Sequence, residues 1–342
     1  MKLLIVTQVL DTEHPILGFF HRWVEEFAKY CEQVHVICLQ EGKHNLPANV
    51  TVHSLGKEVG NNRLTYILRF YKLIWQLRND YDNVFVHMNQ IYVILGAPFW
   101  RAVGKKVGLW YAHGAVTNSL KIAVSLANII FTSTEQGMTI DTPKRKIVGQ
   151  GIDRERFKLG QKQSSDTLRL ITVGRISQSK NIDTLLKACA ILKEKGIIFK
   201  FTIIGVPLTP DEKLYAAEMK RLTKDLNIED CVEWVGPVTQ VSLPSYLQTS
   251  DVFIHDGATN SLDKALIEAS LCGCVVISSN PAYRALTDTI APEYLYSHGD
   301  FEMLTKKVLN FSVNQNTPQL VKELFLKKFN LDSLVSGIMS KY

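Results

Sequence analysis

Short apolar runs alternate along the chain with longer segments in which apolar residues recur every three or four positions. Short apolar runs are typical of buried parallel strands, and the longer periodic segments are typical of helices that cover a sheet. Strands are predicted at residues 3–7, 34–38, 84–87, 107–112, 129–134, 168–173, 199–205, 232–236, 252–254 and 274–277. Helices are predicted at residues 19–30, 63–78, 181–195, 215–226 and 262–271, with further helices over 318–342. This alternation predicts an α/β fold with parallel sheets.

The chain divides at a polar segment without periodicity, residues 158–167 (KLGQKQSSDT), which is typical of a linker. Its 342 residues exceed one typical domain and suit two. We therefore expect one domain over residues 1–158 and a second over 159–318, followed by C-terminal helices over 319–342.

The composition indicates an ordinary globular protein, with 46% hydrophobic and 21% charged residues. The six cysteines are scattered and form no metal-binding pattern, so reduced thiols and a cytoplasmic location are expected. The first residues, MKLLIVTQVLDTEHP, lack a cleavage signature and are interpreted as a strand, and no apolar run is as long as a membrane span. The net charge of +6 belongs to residues 1–158, which carry 19 Lys and Arg against 13 Asp and Glu.

Residues 251–279 (DVFIHDGATNSLDKALIEASLCGCVVISS) are interpreted as a strand, a polar loop, a helix and a strand. Asn260 or Ser261 is predicted to cap the helix, and Gly273 to end it. Ligands bind at the carboxyl edge of a parallel sheet, where a helix that begins there directs its free N–H groups at an anion. Glu268 lies two turns inside this otherwise small and apolar helix, which favours a functional role.

A second stretch, GRISQSK at residues 174–180, follows a predicted strand and precedes a predicted helix. Arg175 and Lys180 place two cations beside a helix N-terminus, which is the combination that a diphosphate requires. An ordinary basic turn is the alternative interpretation. Gly205 ends the next strand and is expected at the same edge of the sheet.

Together these stretches resemble the donor site of retaining glycosyltransferases of family 4. The family pattern is a glutamate, seven residues, and a second glutamate followed by small residues, Cys-Gly and a hydrophobic strand. Residues 268–276 (EASLCGCVV) fit the second half, with Glu268 as the second glutamate. Asn260 stands where the first glutamate is expected, and Asp263 replaces the usual glycine.

The resemblance implies the GT-B fold, in which two Rossmann-like, doubly wound parallel-sheet domains face a central cleft. It also implies that the last helix, here residues 331–342, crosses back to the first domain. The first domain would bind the acceptor, and the second would bind the nucleotide-sugar donor.

The resemblance also assigns roles to individual residues. Glu268 is expected to bind the ribose hydroxyls of the nucleotide, while Arg175 and Lys180 hold the donor diphosphate and stabilise the leaving nucleotide. His113, after a predicted strand of the first domain, is expected near the transferred sugar, with His87 a weaker candidate. Other residues expected to form the donor site are Gly18, Gly174, Gly205, Asn260, Ser261, Asp263 and Lys264. Catalytic roles are expected for His113, Arg175, Lys180 and Asp263, with no metal and no cofactor.

The absence of the first glutamate leaves its sugar contact to other residues. We expect Asn260 and Asp263 to share sugar recognition, with the charged Asp263 forming the stronger contact. The alternative is that both residues only cap the helix. Lys264 and Glu268 are one helical turn apart, so an exposed ion pair is the alternative to a role in binding.

The sequence thus predicts a hexosyltransferase that moves a sugar from a uridine or guanosine diphosphate sugar to a hydroxyl of a glycan or lipid-linked acceptor, with retention of configuration. One alternative is a nucleotide-sugar 2-epimerase, which would use His113, His255 and Asp256 as additional groups. Another is a non-catalytic nucleotide-sugar binder. An NAD-dependent oxidoreductase is disfavoured because no GxGxxG motif follows the first strand, and no nucleic-acid partner is expected.

The helix predicted at residues 63–78 (RLTYILRFYKLIWQLR) combines basic and large apolar residues. Packing on the sheet, with the basic side chains extending to solvent, is the favoured interpretation. The alternative is peripheral docking on an anionic membrane at its inner face, near a lipid-linked acceptor.

Overall fold

The computed structural model describes residues 1–162, 164–257, 259, 261–314 and 319–342. The chain forms two compact units, of which unit 1 is Met1–Gly151 with Phe329–Tyr342 and unit 2 is Ile152–Lys328. The chain thus enters unit 2 before the polar segment 158–167. Ile152 and Phe157, which precede that segment, are already buried.

Unit 1 is built around one parallel sheet. Its strands are β1 (Lys2–Leu10), β2 (Gln33–Glu41), β3 (Val50–Ser54), β4 (Asn83–His87), β5 (Lys106–Trp110), β6 (Ile129–Thr132) and β7 (Arg145–Ile147). Its first four helices are α1 (Phe20–Tyr30), α2 (Arg63–Gln76), α3 (Gln90–Ala102) and α4 (Asn118–Leu126). In the part of unit 1 that the structure describes, the strands lie in the order β3-β2-β1-β4-β5-β6-β7.

Helices cover both faces of this sheet because successive strand residues point to opposite sides. Leu4 and Val6 of β1 pack in a cluster with residues of α2, α3 and α4. Leu3 and Ile5 pack on the other face in a cluster with residues of α1. The continuous apolar runs of the sequence are therefore strands that are buried on both sides.

Unit 2 contains a second parallel sheet. Its strands are β8 (Leu168–Val173), β9 (Phe199–Ile204), β10 (Val232–Gly236), β11 (Val252–His255) and β12 (Val275–Ser278). Its helices are α5 (Ile182–Glu194), α6 (Pro210–Asp225), α7 (Leu243–Thr249), α8 (Lys264–Cys272), α9 (Pro281–Thr287), α10 (Phe301–Asn314) and α11 (Gln319–Lys328). The described strands lie in the order β10-β9-β8-β11-β12. Both sheets are doubly wound, because the order reverses beside β1 in unit 1 and beside β8 in unit 2.

The last helix, α12 (Leu331–Met339), belongs to unit 1, where it packs beside α1. The chain then ends at Tyr342, whose hydroxyl donates to the carbonyl oxygen of Val84 at 2.7 Å. Gly108 of β5 makes room for this ring, since a Cβ atom at Gly108 would lie 2.2 Å from the Tyr342 hydroxyl oxygen.

Several elements differ from the sequence prediction, and among the helices α3, α4, α9 and α10 were not predicted. β3 and β7 were not predicted, because both are short edge strands whose residues are half-exposed or exposed rather than continuously apolar. α6 begins at Pro210 rather than at residue 215. Thr209 and Glu212 form a reciprocal capping box there, so the helix starts in a segment with little apolar periodicity.

In the described parts of the chain, no helix combines the length and apolarity that crossing a membrane requires. The six cysteines are free thiols, and five of them are buried.

The capping box provides a test of how α6 is stabilised. Thr209→Ala should lower the free energy of unfolding by about 1 kcal/mol, because it removes the side-chain acceptor at the N-cap. Thr209→Ser keeps the hydroxyl and is the matched control. Urea denaturation followed by circular dichroism measures both, and an alanine variant as stable as the serine variant would contradict the role of the cap.

Candidate functional site

Five of the predicted donor residues, Gly174, Arg175, Lys180, Gly205 and Asp263, lie together at the edge of the unit 2 sheet where its strand order reverses, beside the carboxyl ends of β8 and β11. β8 leads directly into Gly174 and Arg175. Gly205, after β9, approaches this loop so closely that a Cβ atom there would lie 1.7 Å from the carbonyl oxygen of Gly174. Only glycine fits at that position, and the resulting backbone contact determines where the loop begins.

The loop between β8 and α5 carries both predicted diphosphate-binding cations. Residues Gln178–Lys180 form a 3-10 turn, and the next residue, Asn181, is left-handed with a φ of 45°. Arg175 Nε lies 3.2 Å from Glu212 Oε1, with 45% of the arginine side chain exposed. Lys180 Nζ donates to Oδ2 of Asp263.

Arg175 and Lys180 line one pocket at the sheet edge. Its other lining residues are Thr172, Val173, Gly174, Ile176, Ile182, Ile204 and His255. The pocket therefore combines two cations and loop backbone with apolar walls, which suits an anionic group attached to a larger ligand.

Asp263 is the N-cap residue of α8, but its side chain makes no capping hydrogen bond. Its Oδ2 instead accepts from Lys180 and from Nε2 of His255, the latter at 2.6 Å. Burial by itself would raise the pKa of this carboxyl, but the charge of Lys180 and the His255 hydrogen bond outweigh it and hold the pKa well below its usual range. The alternative that Asp263 only caps the helix is therefore wrong.

The loop before α8 departs from the predicted cap. Asn260 lies outside the described residues. Ser261 was predicted as a possible N-cap, but α8 begins later, after Asp263, so that prediction is wrong. The carbonyl oxygen of Ser261 instead accepts from Nδ2 of Asn280 at 3.0 Å, which ties the loop to the segment after β12.

Asp256, which follows β11, is a buried carboxylate that sequence reasoning did not place in the leading model. It accepts hydrogen bonds from Ser279 Oγ at 2.5 Å, Asn181 Nδ2 at 2.8 Å, His298 Nδ1 at 2.8 Å and the Gly299 N–H at 3.0 Å. Burial would raise its pKa, but these hydrogen bonds together lower it. An aspartate directly after a buried strand was the available signal, although its donors are distant in sequence.

Glu268 and Lys264 form an ion pair on α8, with Nζ 3.1 Å from Oε1. The side chains are only 3% and 18% exposed, respectively, so the alternative of an exposed pair is wrong. Burial lowers the pKa of Lys264, and the adjacent Glu268 carboxylate counteracts part of that shift. A buried ion pair is uncommon unless geometry or function requires it.

Of the predicted residues of unit 1, His113 and Gly18 lie in loops that follow its strands, whereas His87 is the last residue of β4. His113 follows β5 and is exposed, with its ring 6.4 Å from that of Tyr111. Gly18 lies in a tight turn before α1, where a Cβ atom would be 2.6 Å from the carbonyl oxygen of His14. His87 is buried and stacks on Phe20 at 4.0 Å, as a core residue does.

Within residues 1–162, 164–257, 259, 261–314 and 319–342, no three His, Cys, Asp or Glu side chains are grouped so that they could hold a metal ion.

Comparison with known proteins identifies the family. A family model described as glycosyl transferases group 1 matches residues 152–323, just over half of the 342-residue chain. The chain belongs to this family. The matched segment contains the cationic loop, Asp263 and Glu268, so the site described here is built from the part of the chain that defines a group 1 glycosyltransferase.

Curated relatives match part of the chain at moderate identity. Amylovoran biosynthesis glycosyltransferase AmsK of Erwinia amylovora is 30% identical over 177 residues, which cover 49% of this chain and 42% of that protein. D-inositol 3-phosphate glycosyltransferase 2 of Catenulispora acidiphila is 29% identical over 154 residues, or 41% of this chain and 35% of that protein. The matched part spans less than half the length of these relatives.

Solved structures confirm the fold class predicted from the sequence. Anabaena Alr3699/HepE, crystallised in complex with UDP-glucose, has a TM-score of 0.79 at 17% identity, and the superposition covers 100% of both chains. With the two doubly wound parallel sheets, this likeness shows that the group 1 glycosyltransferase has the GT-B fold.

The buried ion pair on α8 makes a testable contrast with an exposed one. Lys264→Met should lower the free energy of unfolding by about 3 kcal/mol, because it leaves the buried Glu268 carboxylate without the Lys264 ammonium. Lys187→Met is the matched control. Lys187 pairs with Asp183 at 2.9 Å and the same spacing, but these side chains are 42% and 28% exposed. The control should lose less than about 1 kcal/mol, and equal losses in urea denaturation would contradict the burial argument.

Proposed function

We propose that this protein is a retaining glycosyltransferase of family 4 that transfers a hexose from a nucleotide diphosphate sugar to a hydroxyl of a glycan or lipid-linked acceptor. The observation that carries the proposal is a pocket at the sheet's switch point, lined by both Arg175 and Lys180, in a group 1 family member. Fixed cations beside exposed loop backbone are suited to a donor diphosphate.

Stabilisation of the leaving group is the central chemistry in this proposal. As the bond between the anomeric carbon and the diphosphate breaks, negative charge develops on the diphosphate oxygens. Arg175 and Lys180 would offset that charge, and we propose that no metal is needed beside them. A guanidinium has five N–H donors and an ammonium has three, so each cation can bind phosphate oxygens while it keeps the carboxylate that it contacts now.

The remaining donor contacts are assigned by chemistry and by the family resemblance. Glu268, held by Lys264, would accept the ribose hydroxyls, while Asn260 and Asp263 would share recognition of the sugar. The same resemblance supports a contact of His113 with the transferred sugar and of Gly18 with the ligand. Uridine donors are the first to test, because the structurally similar Anabaena protein was crystallised with UDP-glucose.

The proposal predicts a specific loss at Arg175. Arg175→Ala should lower the rate constant for transfer more than tenfold, because it removes charge-assisted contacts worth about 1.5–3 kcal/mol. Its side chain is 45% exposed, so the melting temperature should change little. Arg221→Ala is the control, since the Arg221 side chain is 75% exposed on α6. Normal transfer by the Arg175 variant would contradict the diphosphate assignment.

The donor is identified with the wild-type protein. In a thermal-shift panel of uridine, guanosine and adenosine diphosphate sugars, the true donor should raise the melting temperature by mass action. Nuclear magnetic resonance of the anomeric proton then shows whether the product keeps the donor's configuration. Epimerisation of the nucleotide sugar without acceptor, or stabilisation by no donor, would overturn the proposal.

We also propose that α2 docks unit 1 on an anionic membrane at its cytoplasmic face, where a lipid-linked acceptor would be available. The helix packs on the sheet through buried Phe70 and Ile74. A second apolar stripe lies on the solvent side, formed by Leu64, Leu68, Tyr71 and Trp75, which are 65%, 62%, 41% and 58% exposed. The spacing of this stripe, i, i+4, i+7 and i+11, places all four side chains on one helix face.

The charges around this stripe favour an anionic partner. Residues 63–79 contain four basic residues and no acidic one. Arg78 lies over the ring of Trp75 at 4.6 Å, and Arg63, Arg69 and Lys72 are exposed. Large apolar side chains with flanking cations are typical of helices that lie in an anionic lipid interface.

The membrane proposal is tested by co-sedimentation with phosphatidylglycerol vesicles and with phosphatidylcholine vesicles. The protein should prefer phosphatidylglycerol, and added salt should weaken binding because it screens attraction worth about 1 kcal/mol per basic residue. Leu68→Gln should reduce binding, whereas Leu214→Gln, at an exposed leucine of unit 2, should not. Equal binding to both vesicle types would refute the proposal.

A further inference from the structure

Asp263 and His255 form a contact that the family pattern does not contain. Asp263 stands where the pattern has a glycine, and His255 is the last residue of β11. The two side chains meet 2.6 Å apart, and the same oxygen of Asp263 accepts from Lys180. Two hydrogen bonds through Asp263 therefore connect His255 to a cation that we propose holds the donor diphosphate.

The hydrogen bonds assign the protonation of the His255 ring. A carboxylate only accepts, so Nε2 must carry the hydrogen that bonds Asp263. In the neutral ring Nδ1 is then an acceptor, and it lies 3.1 Å from the hydroxyl oxygen of Ser278. That oxygen already accepts the Asn280 N–H at 3.1 Å, which leaves its hydrogen free to donate to Nδ1. The chain of hydrogen bonds thus runs from Ser278 through His255 to Asp263.

The ring of His255 is held in one orientation by its surroundings. The residue is 2% exposed, and its ring stacks on Phe253 with an angle of 22° between the planes. Gly257 leaves space for the ring, since a Cβ atom there would lie 2.4 Å from Cε1. The backbone carbonyl accepts from the Tyr296 hydroxyl at 2.9 Å. His255 is therefore a rigid donor, whereas Lys180 is a flexible chain whose tip requires an anchor.

We propose that His255 is a positioning residue for sugar transfer: by orienting Asp263, it holds the Lys180 ammonium in the pocket where the donor diphosphate binds. This inference rests on the proposed function of Lys180. A lysine that is already held loses less side-chain freedom when the diphosphate arrives, so preorganisation strengthens binding and stabilises the leaving group. His255 also lines the pocket with Arg175 and Lys180, so the rigid ring and the cations share one site.

Two substitutions separate positioning from simple packing. His255→Leu removes the N–H that orients Asp263. It should weaken about tenfold the binding of the nucleoside diphosphate, whether of uridine, guanosine or adenosine, that the wild-type protein binds most tightly. His255→Gln places an amide N–H near the position of Nε2 and should recover most of that loss. His35→Leu replaces another buried histidine, in unit 1, and should leave nucleotide binding unchanged.

A double-mutant cycle tests whether His255 acts through Lys180. In a Lys180→Ala background, His255→Leu should cause no further loss of nucleoside diphosphate affinity, because the cation that it positions is gone. Calorimetry at a temperature where every variant is folded gives the affinities. The nucleoside diphosphate lacks the transferred hexose, so a contact of Asp263 with that sugar cannot contribute. Losses that multiply in the double variant, or a glutamine variant as weak as the leucine variant, would overturn the inference.

Asp263→Asn provides a second cycle if His255→Leu does not fold. It keeps the shape of the side chain but removes the charge that holds Lys180, so its loss of affinity should likewise vanish in the Lys180→Ala background. A loss that persists there would overturn the inference. Because the cycles measure binding, they remain decisive if no transfer is found with any donor, which would instead refute the proposed enzyme.

Discussion

Unit 2 depends on the complete hydrogen bonding of one buried carboxylate, that of Asp256. A buried charge is tolerated only if hydrogen-bond donors of the protein replace the water molecules that would otherwise solvate it. Four such donors contact the Asp256 carboxylate. They come from the loop after β8, from the segment after β12 and from the turn before α10. One of them is Asn181, the residue next to Lys180. The need to satisfy one anion thus fixes three loops around the sheet edge, including the cationic loop.

Asp263 differs from Asp256 in what it contacts. Asp263 contacts the side chain of Lys180, whereas Asp256 connects three loops. Besides Asp256, three acids of unit 2 each contact a cation: Glu212 contacts Arg175, Asp263 contacts Lys180, and Glu268 contacts Lys264. Paired charges can be partly buried at a much lower cost in stability than isolated ones. Each of these cations therefore already faces a compensating negative charge in the unliganded protein.

The sequence predicted most of the fold because strands buried on both faces leave unmistakable apolar runs. β8 and β10 begin and end at the predicted residues, whereas the edge strands β3 and β7 have no such runs. The two stretches that carry the site were recognisable because each is local in sequence. What could not be predicted was the partner of Asp263. Local rules favour a helix cap at that position, but Lys180 lies 83 residues away and provides a stronger, charged contact. The burial of the Lys264–Glu268 pair was hidden for the same reason, since spacing shows that two side chains meet but not what covers them.

A carboxylate at the start of α8 raises an electrostatic question for the proposed diphosphate site. The N-terminus of a helix favours an anion, so Asp263 is stabilised there, yet it would repel a second anion bound nearby. The contact with Lys180 resolves this conflict, because it neutralises the carboxylate where it enters the site. The pKa of Asp263 is lower in the folded protein than in the unfolded chain. The ion pair therefore contributes its full stability at pH values above the pKa of the unfolded chain, and this contribution is lost as the pH falls through the pKa of the folded protein. At neutral pH the diphosphate of the proposed donor would therefore meet an ion pair and not a bare carboxylate. An aspartate at position 263, where the family pattern has glycine, is compatible with the proposed anionic donor because Lys180 neutralises it and His255 orients it, and none of the three residues indicates this by itself.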